Sequence, residues 1–69
     1  MKTYLLFYDQ KGECFHTLAM NLGDPVPQVG DTVKIVLEDK IISGKVITRL
    51  YTYDYRVFET RISLHLSIF

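Results

Sequence analysis

This chain is short of nearly everything that announces a function. Cys14 is its one cysteine, so no internal disulfide can form and a stapled secreted miniprotein is excluded. Net charge is absent, with eight basic residues against eight acidic ones. That balance argues against a partner held mainly by bulk electrostatics, such as an anionic membrane or duplex nucleic acid. No apolar run approaches the roughly 18 residues that a membrane helix needs. Met1-Lys2-Thr3-Tyr4 lacks the basic-then-apolar grammar of a signal peptide, so the expected setting is cytoplasmic. Repeats, low-complexity tracts, charge blocks and helical periodicity are missing too. So are a phosphate-cradling glycine loop, a metal motif and a nucleophile signature. The expectation is a protein that is not an enzyme, with no cofactor, no metal, no membrane partner and no small-molecule substrate.

What is present is apolar and β-forming. The 69 residues are 48% hydrophobic and 13% aromatic, enough for one small domain spanning the whole chain. The clearest signal runs from Phe58 through Glu59, Thr60, Arg61, Ile62, Ser63, Leu64, His65, Leu66, Ser67 and Ile68. Apolar residues hold the even positions, with Thr60 the exception, and polar residues hold the odd ones. A period of two over that length is a strand buried on one face. Four more strands follow from composition and turn chemistry: Thr3 to Tyr8, Glu13 to Met20, Thr32 to Glu38 and Ile41 to Tyr53. Asp9-Gln10-Lys11-Gly12 reads as a type I turn with Gly in the left-handed region. The stretch from Asn21 to Gly30, with both prolines, is a loop.

Two turns set the expected registers. A tight turn at Asp39-Lys40 places Leu37 opposite Ile42, Ile35 opposite Gly44 and Val33 opposite Val46. A turn at Asp54-Tyr55-Arg56 places Val46 opposite Leu64 and Gly44 opposite Leu66. Both put the same side chains of the fourth strand on one apolar face, which a one-residue slip would reverse. Gly44 among large neighbours implies a close approach in a curled sheet.

The segment Pro27-Gln28-Val29-Gly30-Asp31-Thr32-Val33 resembles the phrase that leads the chain into the sheet in many SH3-like and OB-like barrels. The resemblance is one of class and carries no functional residue with it. With the strand count it implies an all-β fold: a five-stranded antiparallel meander closing into an SH3-like barrel or a strongly curled sheet.

Two surfaces emerge as candidates. The first hairpin has no polar face: Leu5, Phe7, Phe15 and Ala19 hold one side, and Tyr4, Leu6, Tyr8, Leu18 and Met20 the other. With Leu5, Phe7 and Phe15 inward, the second set is a tyrosine-rich stripe suited to a protein partner, including a second copy as a homodimer. The alternative is that the Pro-rich loop or Ile68-Phe69 covers it. The second surface is Lys45, Arg49, Tyr51, Tyr53 and Arg61, with Arg49 opposite Arg61, Lys45 opposite His65 and Tyr51 opposite Glu59. Cations interleaved with tyrosines can hold single-stranded nucleic acid. The plainer reading is long side chains covering a sheet, with Glu59 diagonal to Arg61. Cys14 and His16, two apart and so on one side of a strand, fall short of a zinc site or a catalytic pair, and Cys14 reads as a half-buried structural thiol. His65, at a polar position of the fifth strand, reads as a surface histidine.

Overall fold

Five strands make the fold: β1 Lys2–Tyr8, β2 Cys14–Met20, β3 Thr32–Val36, β4 Ile41–Asp54 and β5 Glu59–Ile68. The computed structural model describes residues 1–21 and 23–69; Leu22, within the expected loop, lies outside them. Among the described residues there is no helix, and so none long and apolar enough to cross a membrane. The strands fall where β-branched and aromatic residues gather. Between β1 and β2, Gly12 takes φ 83°, and the Asp9 carboxylate accepts the N–H groups of Lys11 and Glu13 at 2.9 and 3.0 Å. This is the Asp-to-Gly hairpin loop expected from the residues.

The sheet is mixed. Its order is β2-β1-β5-β4-β3, with β1 and β5 parallel and the other neighbours antiparallel. An all-antiparallel meander was expected, and the reason for the difference lies at the centre. The parallel register sets Leu5 beside Ile62 and Phe7 beside Leu64, so the two strands that carry most of the buried core flank each other in the sheet. Nor does a barrel close. β2 and β3 stand at opposite ends of the order, leaving a curled, open half-barrel. The loop between them crosses the concave side, where Val26 packs on the core. A loop residue thereby supplies part of the cover that strand closure would give.

That core is Leu5, Phe7, Ile35, Val46, Ile62, Leu64 and Leu66, with Phe15, Met20, Val33 and Ile68 packed against it. Leu5, Phe7 and Phe15 face inward as expected, and so do the even positions of β5. Gly44 makes the close approach expected of it: a Cβ there would stand 2.9 Å from the Ser67 carbonyl oxygen and 3.2 Å from Leu66 Cβ.

The registers differ from the expected ones in a way that matters for every surface residue. Ile35 pairs with Ile42 and Val33 with Gly44, a displacement of two residues that leaves the faces unchanged. A turn centred one residue earlier, at Glu38-Asp39 and closed by Leu37 N–H donating to the Lys40 carbonyl at 2.9 Å, causes it. Between β4 and β5, Gly44 pairs with Ile68 and Val46 with Leu66. Ile47 is then an extra residue, a β-bulge, after which Thr48 pairs with His65, Arg49 with Leu64 and Tyr51 with Ile62. An extra residue exchanges the two faces of everything beyond it. Even positions of β4 face inward before the bulge, and odd positions do so after it.

Candidate interaction surface

Directly paired residues share a face of a sheet, so the register places each candidate side chain. On the outer, convex face, Tyr4 stands between Ala19 and Arg61, Leu6 between Thr17 and Ser63, and Tyr8 between Cys14 and His65. Tyr4, Leu6 and Tyr8 are half-buried and form a row along β1. The Tyr8 and His65 rings stack at 4.8 Å with 9° between their planes, which fixes one end of the row. Leu50, opposite Ser63, extends the row across β5 and is 56% exposed. The alternative, cover by the Pro-rich loop or by Ile68-Phe69, finds no support here: Val26 of the loop and Ile68 pack on the core side, and Phe69 stays exposed.

Leu18 and Met20 do not belong to that row. Leu18 pairs with Leu5 and Met20 with Thr3, so both share the inner face. A second bulge is responsible: Phe7 pairs with His16 but Tyr8 with Cys14, leaving Phe15 as the extra residue. Met20 reaches the core, whereas Leu18, on the outermost strand, remains 48% exposed. The same bulge separates Cys14 from His16. Cys14 is on the outer face, while the His16 ring lies 5.9 Å from that of Phe7. The two are not on one side of the strand, and the thiol is exposed rather than half-buried.

The basic and tyrosine set is divided by the bulge at Ile47. Lys45 pairs with Ser67 and Arg61 with Thr52 on the outer face. Arg49, Tyr51 and Tyr53 turn inward, so Arg49 opposes Leu64 and not Arg61, and Tyr51 opposes Ile62 and not Glu59. Lys45 likewise does not oppose His65. The Arg49 guanidinium stacks over Tyr51 at 5.4 Å and donates to the Pro27 carbonyl at 3.3 Å, tying the loop to the strand. Tyr51 and Tyr53 remain a ring pair at 6.4 Å. The expected continuous face of cations and rings is therefore two half-sets back to back.

Arg61 is engaged elsewhere. Its Nη1 donates to Glu59 Oε2 at 2.9 Å and its Nη2 to Asp54 Oδ2 at 3.1 Å. Asp54 also accepts Arg56 Nε at 3.0 Å, Arg56 Nη2 at 2.8 Å and the Arg56 backbone N–H at 3.0 Å. The two guanidiniums, Arg56 first and then Arg61, hold the Asp54 carboxyl well below its ordinary value of 3.8. Asp54 keeps the charge that a turn aspartate would have anyway. It adds a lock on the far end of the hairpin. The spacing of acid and base over Asp54, Arg56, Glu59 and Arg61 was the available signal for this cluster. It takes a register to show that these side chains share a face.

No family model, curated protein or solved structure matches the chain. Among the described residues, no group of three or more histidine, cysteine, aspartate or glutamate side chains is placed to hold a metal ion. What the arrangement offers chemically is apolar surface and unpaired strand edge, both suited to contact with another polypeptide.

Proposed function

We propose that the protein is a non-catalytic interaction module that self-associates through its first hairpin. The observation that carries this reading is the makeup of the hairpin's two strands: from Thr3 to Tyr8 and from Cys14 to Met20 there is no Asp, Glu, Lys or Arg. Ordinary surfaces are mixed and charged, whereas interface cores are depleted of charge and enriched in tyrosine and methionine. A chain of 69 residues also gains from a partner, because a domain this small buries only about 60% of its unfolded surface. The fold is read as an opened relative of the SH3-like barrels. Its strand count, its curl and the Gly30-Asp31 turn support that, Gly30 lying at φ 97° with its N–H on the Val46 carbonyl at 2.9 Å.

Light scattering after gel filtration tests the reading. The expected result is a mass that rises from monomer to dimer with concentration and responds little to salt, as apolar association should. A monomer at every concentration removes self-association, and a salt-sensitive dimer removes the apolar hairpin as its cause.

A further inference from the structure

The two lateral edges of the sheet are built differently. β3 is five residues long, carries Lys34 at its centre and follows a loop with two prolines. Short length, lysine and proline are the usual means by which a sheet blunts an edge against pairing with another chain. β2 is seven residues long and contains no Asp, Glu, Lys, Arg or proline. It is last in the strand order, so one of its sides offers backbone N–H and C=O groups to no neighbouring strand. The device β2 does have is its bulge at Phe15, and that device is placed at one end. It leaves His16 to Met20 as a regular run.

We propose that a second copy of this chain adds to the β2 edge, antiparallel, about a twofold axis through Leu18. The two five-stranded sheets then continue as one. This inference rests on the self-association reading and specifies its geometry.

Leu18 is selected as the centre for three reasons. It is the midpoint of the regular run. It is the one large apolar side chain of β2 exposed by nearly half, at 48%. Antiparallel pairing about it also matches faces and charge. Leu18 meets Leu18 of the second copy, Thr17 meets Ala19, and His16 meets Met20. No pair sets two like charges opposite each other, the arrangement that penalises sheet pairing. An axis one residue away, at Thr17, would instead set Leu18 against His16 and leave the apolar pair unmade. A twofold contact is self-complementary by construction, so an uncharged edge strand needs no second surface to complement it.

Cross-linking in the full-length chain tests the geometry. Directly opposed residues of an antiparallel pair have Cα atoms about 4.5–5.5 Å apart, inside the disulfide range of roughly 4.4–6.8 Å. In a Cys14→Ser background, Leu18→Cys should form a disulfide dimer under mild oxidation. Thr17→Cys alone should not, while Thr17→Cys mixed with Ala19→Cys should give the mixed dimer. Leu18→Lys, at a half-exposed position and so compatible with folding, should weaken association at least 100-fold with an unchanged circular dichroism spectrum. A dimer that Leu18→Lys leaves intact, and in which Thr17→Cys cross-links as readily as Leu18→Cys, overturns the edge geometry while the self-association reading stands. A wild-type chain that stays monomeric overturns both. A monomer that takes up an unrelated strand peptide at β2 also overturns the second copy as the occupant.

Discussion

The β4–β5 hairpin is one continuous pair of strands, yet its two halves are held by different physics. On the near side of the Ile47 bulge, Gly44 and Val46 meet Ile68 and Leu66, and contact is apolar and close. Val46 and Leu66 are 1% exposed. On the far side, Leu50, Tyr51 and Tyr53 are exposed, and the strand pair ends in ion pairs around Asp54. The bulge is where one regime gives way to the other. It is also where the loop is fastened: Gly30 donates to the Val46 carbonyl and Val46 donates to the Asp31 carbonyl, each at 2.9 Å. An extra residue in a long strand thus re-aims half of its side chains and anchors the segment that covers the core.

The contrast breaks most sharply at Leu66. Leu66→Ala removes fully packed atoms from the near half and should cost about 2–5 kcal/mol. A chain of 69 residues has roughly 3–10 kcal/mol to lose. Urea denaturation monitored by tyrosine fluorescence should show a large fall in midpoint, or a chain unfolded without denaturant. A shift no larger than that of an ordinary surface substitution would mean the near half is not the core of the hairpin.

Gly44→Ala probes the same half through crowding. The added methyl would meet backbone at 2.9 Å, which cannot rotate away, and side-chain atoms of Leu66 and Ile68 at 3.2 and 3.3 Å. Overpacking of this kind costs about 1–3 kcal/mol. A neutral or stabilising outcome in thermal unfolding would show that β4 and β5 can separate there, and would weaken the case for a tight near half.

The residues reveal part of this organisation and conceal the rest for definite reasons. The alternation of β5 shows through because one face is buried along its whole length. The first hairpin, apolar on both sides, does not declare its inward set: Leu5, Phe7 and Phe15 pack inward, but Ala19, grouped with them, pairs with Tyr4 on the outer face. Asp9 and Gly12 declare their turn because only certain residues fit it. The parallel partnership of β1 and β5 leaves no such mark, since pairing between distant segments is written in no local pattern. The bulges at Phe15 and Ile47 are hidden more thoroughly. Neither position is a glycine, and both residues are ordinary strand formers. Yet each exchanges faces: one removes Leu18 and Met20 from the tyrosine row, and the other parts Arg49 from Arg61. Strand boundaries survive such an extra residue, whereas any site defined by which side chains share a face does not.

The far half should respond least, and in a manner its counterpart cannot imitate. Asp54→Asn leaves a side chain of the same size that accepts fewer and weaker bonds from Arg56 and Arg61. At neutral pH the loss should be smaller than for either near-half substitution, because Arg56 is largely exposed and solvent screens such a pair. The pH dependence is the sharper signature. The carboxyl is held below its ordinary value of 3.8 in the folded chain. Its contribution is therefore present above that value and lost as pH falls from it toward the lower folded-state value, because the unfolded chain takes up the proton first. Wild type and Asp54→Asn should differ in thermal midpoint at pH 7 and converge as the solution is acidified below pH 4. A gap that stays constant across that range would mean the carboxylate charge does not hold the far end of the hairpin, and that the guanidiniums gather there for a different reason.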